Sequence, residues 1–176
     1  TQHHHEAHRG LDFLYPMFLV GYGIDVGAVR SILDRLPTDL SGVATATNHW
    51  VSALDGTGTR VLDTRKTLPT WRALQKYAVR CGGGVNHRFS LADRAMVKDN
   101  HVVAAGGVVP AYELVRAANP GLRVEVEVTD LDQLRDLLEA GCTEILLDNM
   151  DTATMAEAVR ITQGRATLEA SGGLTL

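Results

Sequence analysis

From residue 60 onward the chain alternates short β-branched runs with longer amphipathic stretches, the pattern of a βα array built around a parallel sheet. The runs predict strands at 60–62, 95–97, 123–126, 144–147 and 166–168. The amphipathic stretches predict helices at 70–80, 110–118, 131–140 and 152–162, with a further helix over 43–54. Several boundaries have local chemical reasons. Pro69 and Pro110 suit helix starts, Asp130 and Asp151 are capping residues, and Gly141 suits a C-terminal stop.

A charged or glycine-rich element recurs after each run: TRK, KDN, EV, DN and EASGG. In (β/α) barrels and open α/β sheets the C-terminal edge of the strands is where a site is assembled. The bland alternative for any one of these acids, Glu127 or Asp148 included, is a solvated loop carboxylate or a helix cap.

Charge sharpens the picture. The 176-residue chain has a formal charge of -4, yet nine of its 17 basic residues fall between Arg60 and His101, and all three lysines (Lys66, Lys76 and Lys98) lie there. A cationic segment on an acidic chain points to a small, highly anionic ligand, not to nucleic acid, which calls for a broad basic field. With 45% apolar and 22% charged residues, the composition is that of a soluble globular protein. Cys81 and Cys142 have no metal-type spacing and read as reduced thiols. The apolar stretch 11–24 is too short to span a bilayer and carries Asp12 and Pro16, so it is expected to be a buried or interface segment. His3, His4, His5 and His8 read as a terminal tail or tag remnant before they read as a metal clip.

Arg65, Lys66, His87, Arg88 and Lys98 supply cationic or switchable donors from three loops. Arginine offers a planar fork and lysine a compact charge, which suits a ligand bearing both carboxylate and phosphate. Gly82, Gly83 and Gly84, followed at once by Asn86, His87 and Arg88 after Val85, read as a ligand loop, with a flexible connector as the alternative. Glu127 and Asp148 are hard oxygen donors of the kind that hold magnesium together with substrate phosphate. Ser171-Gly172-Gly173 offers backbone N–H groups to a phosphate, or is an ordinary turn.

DTRKTLPTWRALQKYAV, GGGVNHR, KDNH, VEVEV, LLDNM and LEASGG, in this order and spacing, resemble the quinolinate phosphoribosyltransferase family from about Leu40 to Leu176. The resemblance implies an α/β fold, an incomplete (β/α) barrel over 40–176 preceded by a divergent segment 1–39. It implies transfer of phosphoribose from phosphoribosyl pyrophosphate to quinolinate, giving nicotinate mononucleotide, pyrophosphate and carbon dioxide in NAD biosynthesis. By motif, Lys66, Lys98, Glu127 and Asp148 would be catalytic, with Glu127 and Asp148 holding Mg2+. Thr64, Arg65, His87, Arg88, Ser171 and Gly172 would bind substrate. The same resemblance implies a cytoplasmic enzyme, a dimer or larger, without nucleic-acid or membrane partners.

The family's N-terminal domain and closing barrel strand have no counterpart here, so little turnover is expected from this polypeptide alone. Two alternatives stand beside the main reading: a non-catalytic homologue acting as a binding or assembly subunit, and a related barrel with another substrate. Ahead of LSG the family carries an arginine that reaches a neighbouring site. Arg30 is the nearest residue, but Pro37 is expected to break the helix that would present it, so Arg30 is not taken as a site residue.

Overall fold

A computed structural model describes residues 26–176, which divide into two compact units, one ending at Asn86 and the other spanning His87–Leu176. The terminal histidines and the apolar stretch 11–24 lie outside the described residues. No helix among the described residues is long and apolar enough to cross a membrane.

The first unit is built on helix α1 (Val26–Ala53) and helix α2 (Arg72–Cys81). Helix α1 runs through Pro37 instead of stopping there, which corrects the expected break. An interior proline removes one amide donor and crowds the carbonyl four residues earlier. In a helix of 28 residues the ladder on either side carries the chain through. The strand expected at 60–62 is reduced to one parallel bridge between Leu62 and Val85, closed by Val85 N–H to Val61 O at 2.8 Å and Asp63 N–H to Val85 O at 3.2 Å.

The glycine run has a packing role. A Cβ on Gly82 would stand 2.3 Å from Ala44 O, and one on Gly84 would stand 2.7 Å from Val79 Cγ1 and 2.8 Å from Thr47 Cγ2. These glycines let the end of α2 and the turn after it lie against the Ala44–Thr47 face of α1, a reason that periodicity does not display. Gly82→Ala is therefore expected to destabilise the protein by about 1–3 kcal/mol through overpacking. Gly42, inside α1, gives the opposite sign, because a Cβ added there would meet nothing within 4 Å. Gly42→Ala is expected to stabilise by roughly 0.5–1 kcal/mol, because alanine loses less backbone freedom in a helix. Denaturant unfolding of both variants checks the pair.

The second unit repeats strand and helix: β1 (Ala95–Val97), α3 (Asp99–Ala105), α4 (Val108–Ala118), β2 (Val124–Val128), α5 (Leu131–Glu139), β3 (Glu144–Asp148), α6 (Thr152–Thr162) and β4 (Thr167–Ser171). The four strands are parallel and ordered β1-β2-β3-β4. Sequential order without a reversal is the connectivity of a (β/α) barrel, whereas a doubly wound sheet switches direction at its centre. The unit is an α/β, incomplete-barrel arrangement.

Asp130 caps α5 by accepting from the Asp132 and Gln133 amides, and Asp151 caps α6 by accepting from the Thr154 amide. The Thr154 amide also holds the Asp151 carboxyl below the usual carboxylate range. The short α3 was not expected, because seven residues are too few to show a helical period.

Val97, Val124, Val126, Val128, Ile145 and Leu147 pack under Ala111, Tyr112, Leu134, Leu137, Leu138 and Ala158 from the three longer helices. At about 1.5–3 kcal/mol per fully buried large apolar side chain, this layer is the main source of cohesion in the unit. Cys142 is a free thiol inside it, and Cys81 is free and exposed.

Candidate functional site

Strand pleating sorts the side chains of the second unit. The register pairs Met96 with Glu125, Glu127 with Leu146, Leu146 with Glu169, and Asp148 with Ser171. Paired positions share a sheet face, and successive residues on that face are about 6.6 Å apart along a strand. The face opposite the helices therefore carries Glu125 and Glu127 from β2, Glu144 and Asp148 from β3, and Glu169 and Ser171 from β4. Glu127, Asp148 and Ser171 lie inside their strands, which run one to three residues further than the sequence pattern suggested.

At the C-terminal rim, Lys98 Nζ donates to Glu127 Oε2 at 2.6 Å. The lysine side chain is 46% exposed and the glutamate 14%, so the pair faces the opening of the sheet. Lys98 is fixed from below: its amide donates to His101 Nδ1 at 2.9 Å as α3 begins. This is the local work of the KDNH motif.

Asp148 is held from both sides. Ser171 Oγ donates to Oδ1 and Asn149 Nδ2 to Oδ2, each at 2.8 Å. Asn149 adopts φ +54 and its amide donates to Ser171 O at 2.9 Å, so the ends of β3 and β4 interlock. Gly172 completes the contact. It has φ +80, and a Cβ there would stand 2.2 Å from Asn149 Oδ1. Only glycine fits that turn without moving Asn149.

Deeper on the same face lies an ion network. His87 Nε2 is 3.1 Å from Glu125 Oε2 and 3.3 Å from Glu169 Oε2. Arg94 Nη1 is 3.0 Å from Glu169 Oε1 and 3.4 Å from Glu125 Oε1, and its Nε is 3.1 Å from Glu144 Oε2. Arg123 pairs with the other oxygen of Glu144. Glu125 is fully buried and the His87 side chain is 8% exposed. The hydrogen bonds to Glu125 and then Glu169, against the opposing effect of burial, push His87 up to about 9. Burial pulls Glu169 upward, but the bond and charge of His87 together with the bond from Arg94 outweigh it and leave that carboxyl lowered. The network runs from the segment before β1 to β4, across β2 and β3, a reach that a curved sheet permits.

Arg88 is set beside this network. Its Nη1 donates to Arg94 O at 2.8 Å and its Nη2 lies 3.5 Å from Met96 Sδ. Asp93 shapes the loop that carries it, accepting from the Phe89 amide at 2.7 Å and from the Ser90 amide and hydroxyl at 3.0 and 2.8 Å.

Thr64, Arg65 and Lys66 belong to the first unit, on the loop that follows the Leu62 bridge. Thr64 Oγ1 accepts from the Lys66 amide at 3.0 Å, and Arg72 reaches Arg65 O at 3.4 Å. The loop is anchored by Asp63, which pairs with buried Lys76 and accepts from Asn86.

The sequence pattern alone does not single out Arg94, Glu125, Glu144 and Glu169. The signal is present in the alternation of VEVEV and TLEAS, where each valine or leucine facing the helices is followed by a side chain on the other face.

Comparison with known proteins names the architecture. Residues 43–176 match the C-terminal domain of quinolinate phosphoribosyl transferase. The chain belongs to that family. It is 53% identical over 152 residues to the nicotinate-nucleotide pyrophosphorylase [carboxylating] of Mycobacterium leprae, covering 85% of this chain and 53% of that protein. A probable enzyme of the same name from Bacillus subtilis is 45% identical, with 78% and 48% covered. Among solved structures, the nicotinate-nucleotide pyrophosphorylase of Francisella tularensis superposes with a TM-score of 0.73 at 44% identity, covering 77% of this chain and 48% of that one. That of Ehrlichia chaffeensis gives 0.73 at 34% identity, covering 76% and 49%. The chain spans about half the length of the family relatives it matches.

Proposed function

We propose that the chain carries the phosphoribosyl-transfer site of a quinolinate phosphoribosyltransferase, acting on quinolinate and phosphoribosyl pyrophosphate. The observation that carries this reading is the pairing of Lys98 with Glu127 and of Ser171 with Asp148 on one rim of the parallel sheet. Family membership supports it, as does the naming of the relatives. The same reading has the protein work as an oligomer in the cytoplasm, and makes a non-catalytic subunit the less favoured alternative.

Transfer forms a bond from the pyridine nitrogen to the anomeric carbon and breaks the bond from that carbon to pyrophosphate. Positive charge grows on the ribose, so Glu127 and Asp148 serve as fixed negative groups near its hydroxyls. Lys98 neutralises departing phosphate oxygens, and Lys66 is assigned the same task. Thr64, Arg65, His87 and Arg88 are assigned to the quinolinate carboxylates, holding the nitrogen in line with the anomeric carbon. Ser171 and Gly172 are assigned to the 5′-phosphate. Once the nitrogen is alkylated, loss of the adjacent carboxylate as carbon dioxide leaves its electron pair on a carbon beside the positive nitrogen, and that carbon then takes a proton. No covalent bond to the protein is needed.

The donor set fits Mg2+ in a limited way. Asp148 accepts a neutral hydrogen bond on each oxygen, which leaves lone pairs for a hard cation, while Glu127 already spends one oxygen on Lys98. Two carboxylates are too few to hold magnesium tightly without phosphate oxygens and water. Bound there, magnesium would neutralise the pyrophosphate leaving group. Magnesium is expected to bind weakly to the free protein and more tightly with phosphoribosyl pyrophosphate present, and Asp148→Asn should abolish that gain. Calorimetric titration checks this; tight binding to the free protein that survives Asp148→Asn contradicts it.

A further inference from the structure

We propose that Glu169 and Glu125, with the Arg94 guanidinium set between them, are positioning residues that hold the His87 imidazole as a fixed cation for an anionic group of the substrate. The proposal rests on the reading above in which His87 meets a quinolinate carboxylate.

His87 stands among acids. Its Nε2 lies 3.1 Å from a carboxylate oxygen of Glu125, from β2, and 3.3 Å from one of Glu169, from β4, with Arg94 Nη1 2.9 Å away. Two carboxylates at ion-pair distance favour the protonated ring, whose nitrogens are both donors. Arg94, from the segment before β1, fixes the same two carboxylates through their other oxygens. The acids are well placed to hold a cation there: three carboxylates, Glu125, Glu144 and Glu169, converge on His87, Arg94 and Arg123, with the Arg88 guanidinium beside them on Arg94 O. A buried group of ions is tolerated when it is paired in this manner. The upward displacement of His87 to about 9 agrees.

A transition-metal site is the competing use of these residues, since the ligand atoms of His87, Glu125 and Glu169 lie within 4.8 Å of one another. Arg94 argues against it. Its Nη1 stands 2.9 Å from His87 Nε2 and bonds to one of the same carboxylates, so a dication would be set against a guanidinium in a desolvated place. The arginine already places one positive charge between those acids, where a dication would have to sit.

The test is Glu169→Gln in the full chain, read by NMR titration of the His87 ring and by calorimetry with quinolinate. In the unaltered protein the ring is expected to stay protonated through neutral pH. Because its folded value lies above the unfolded one, the stability it contributes is complete below about 6.5 and is lost as pH rises through about 9. In Glu169→Gln the midpoint should fall, and quinolinate affinity at pH 8 should drop roughly threefold to tenfold, with a smaller loss at pH 6. Affinity for phosphoribosyl pyrophosphate should not change, and Glu169→Asp should recover part of the effect.

An unchanged His87 midpoint in Glu169→Gln overturns the proposal, as does uptake of Zn2+ or Mn2+ that His87→Gln abolishes. If the midpoint falls while the unaltered protein does not bind quinolinate, the substrate reading fails, and with it the assigned purpose of the network. Should Glu169→Gln not fold, His87→Gln replaces it: quinolinate binding should then lose its dependence on pH between 6 and 9, and retention of that dependence overturns the proposal.

Discussion

Arg94→Met is expected to lower the stability of the protein by about 3–5 kcal/mol, the scale for breaking a buried charge network from one side. The guanidinium contacts Glu125, Glu144 and Glu169, and Glu125 has no exposure to water. Methionine keeps much of the side-chain volume, so the loss reports charge and not a cavity. The carboxylates left behind would recover in part by taking up protons, and the deficit should therefore shrink at acidic pH. Denaturant unfolding at pH 7 and pH 5 measures both effects. A loss below about 1 kcal/mol, the ceiling for an exposed ion pair, would show that the network is open to solvent.

Arg88→Ala is expected to weaken quinolinate binding by roughly 2–4 kcal/mol, since a ligand carboxylate loses a charged partner in a partly desolvated place. In the structure the guanidinium rests against Arg94 O and Met96 Sδ. The carbonyl is a neutral acceptor, and a ligand carboxylate, which can take both prongs of the guanidinium, is the stronger partner. The fold should lose far less than in Arg94→Met, which lets unfolding curves separate a binding effect from a structural one. An unchanged dissociation constant removes Arg88 from the substrate site.

What the sequence displayed and what it hid follow from range. Helix α6 was legible to the residue, because Asp151 caps it and its apolar period continues to Thr162. The rim residues Lys98, Glu127 and Asp148 were legible because each belongs to a short motif next to a β-branched run. The interior network was not. Glu125, Glu144 and Glu169 gain partners only when three strands pair in register and the chain before β1 lays His87 and Arg94 over them. The packing role of the glycine run was hidden for the same reason: Gly82 and Gly84 answer to Ala44 and Thr47, more than thirty residues away. Pro37 misled through a local rule applied without the length of the surrounding helix.

Calorimetric titration of the protein with quinolinate and with nicotinate, in the presence of Mg2+ and phosphoribosyl pyrophosphate, tests most directly whether the site is built for a pyridine with two adjacent carboxylates. Quinolinate should bind at least about tenfold more tightly than nicotinate, because the second carboxylate gains a charge-assisted partner that nicotinate leaves unused. Equal affinities, or no binding of either compound, would contradict the assignment.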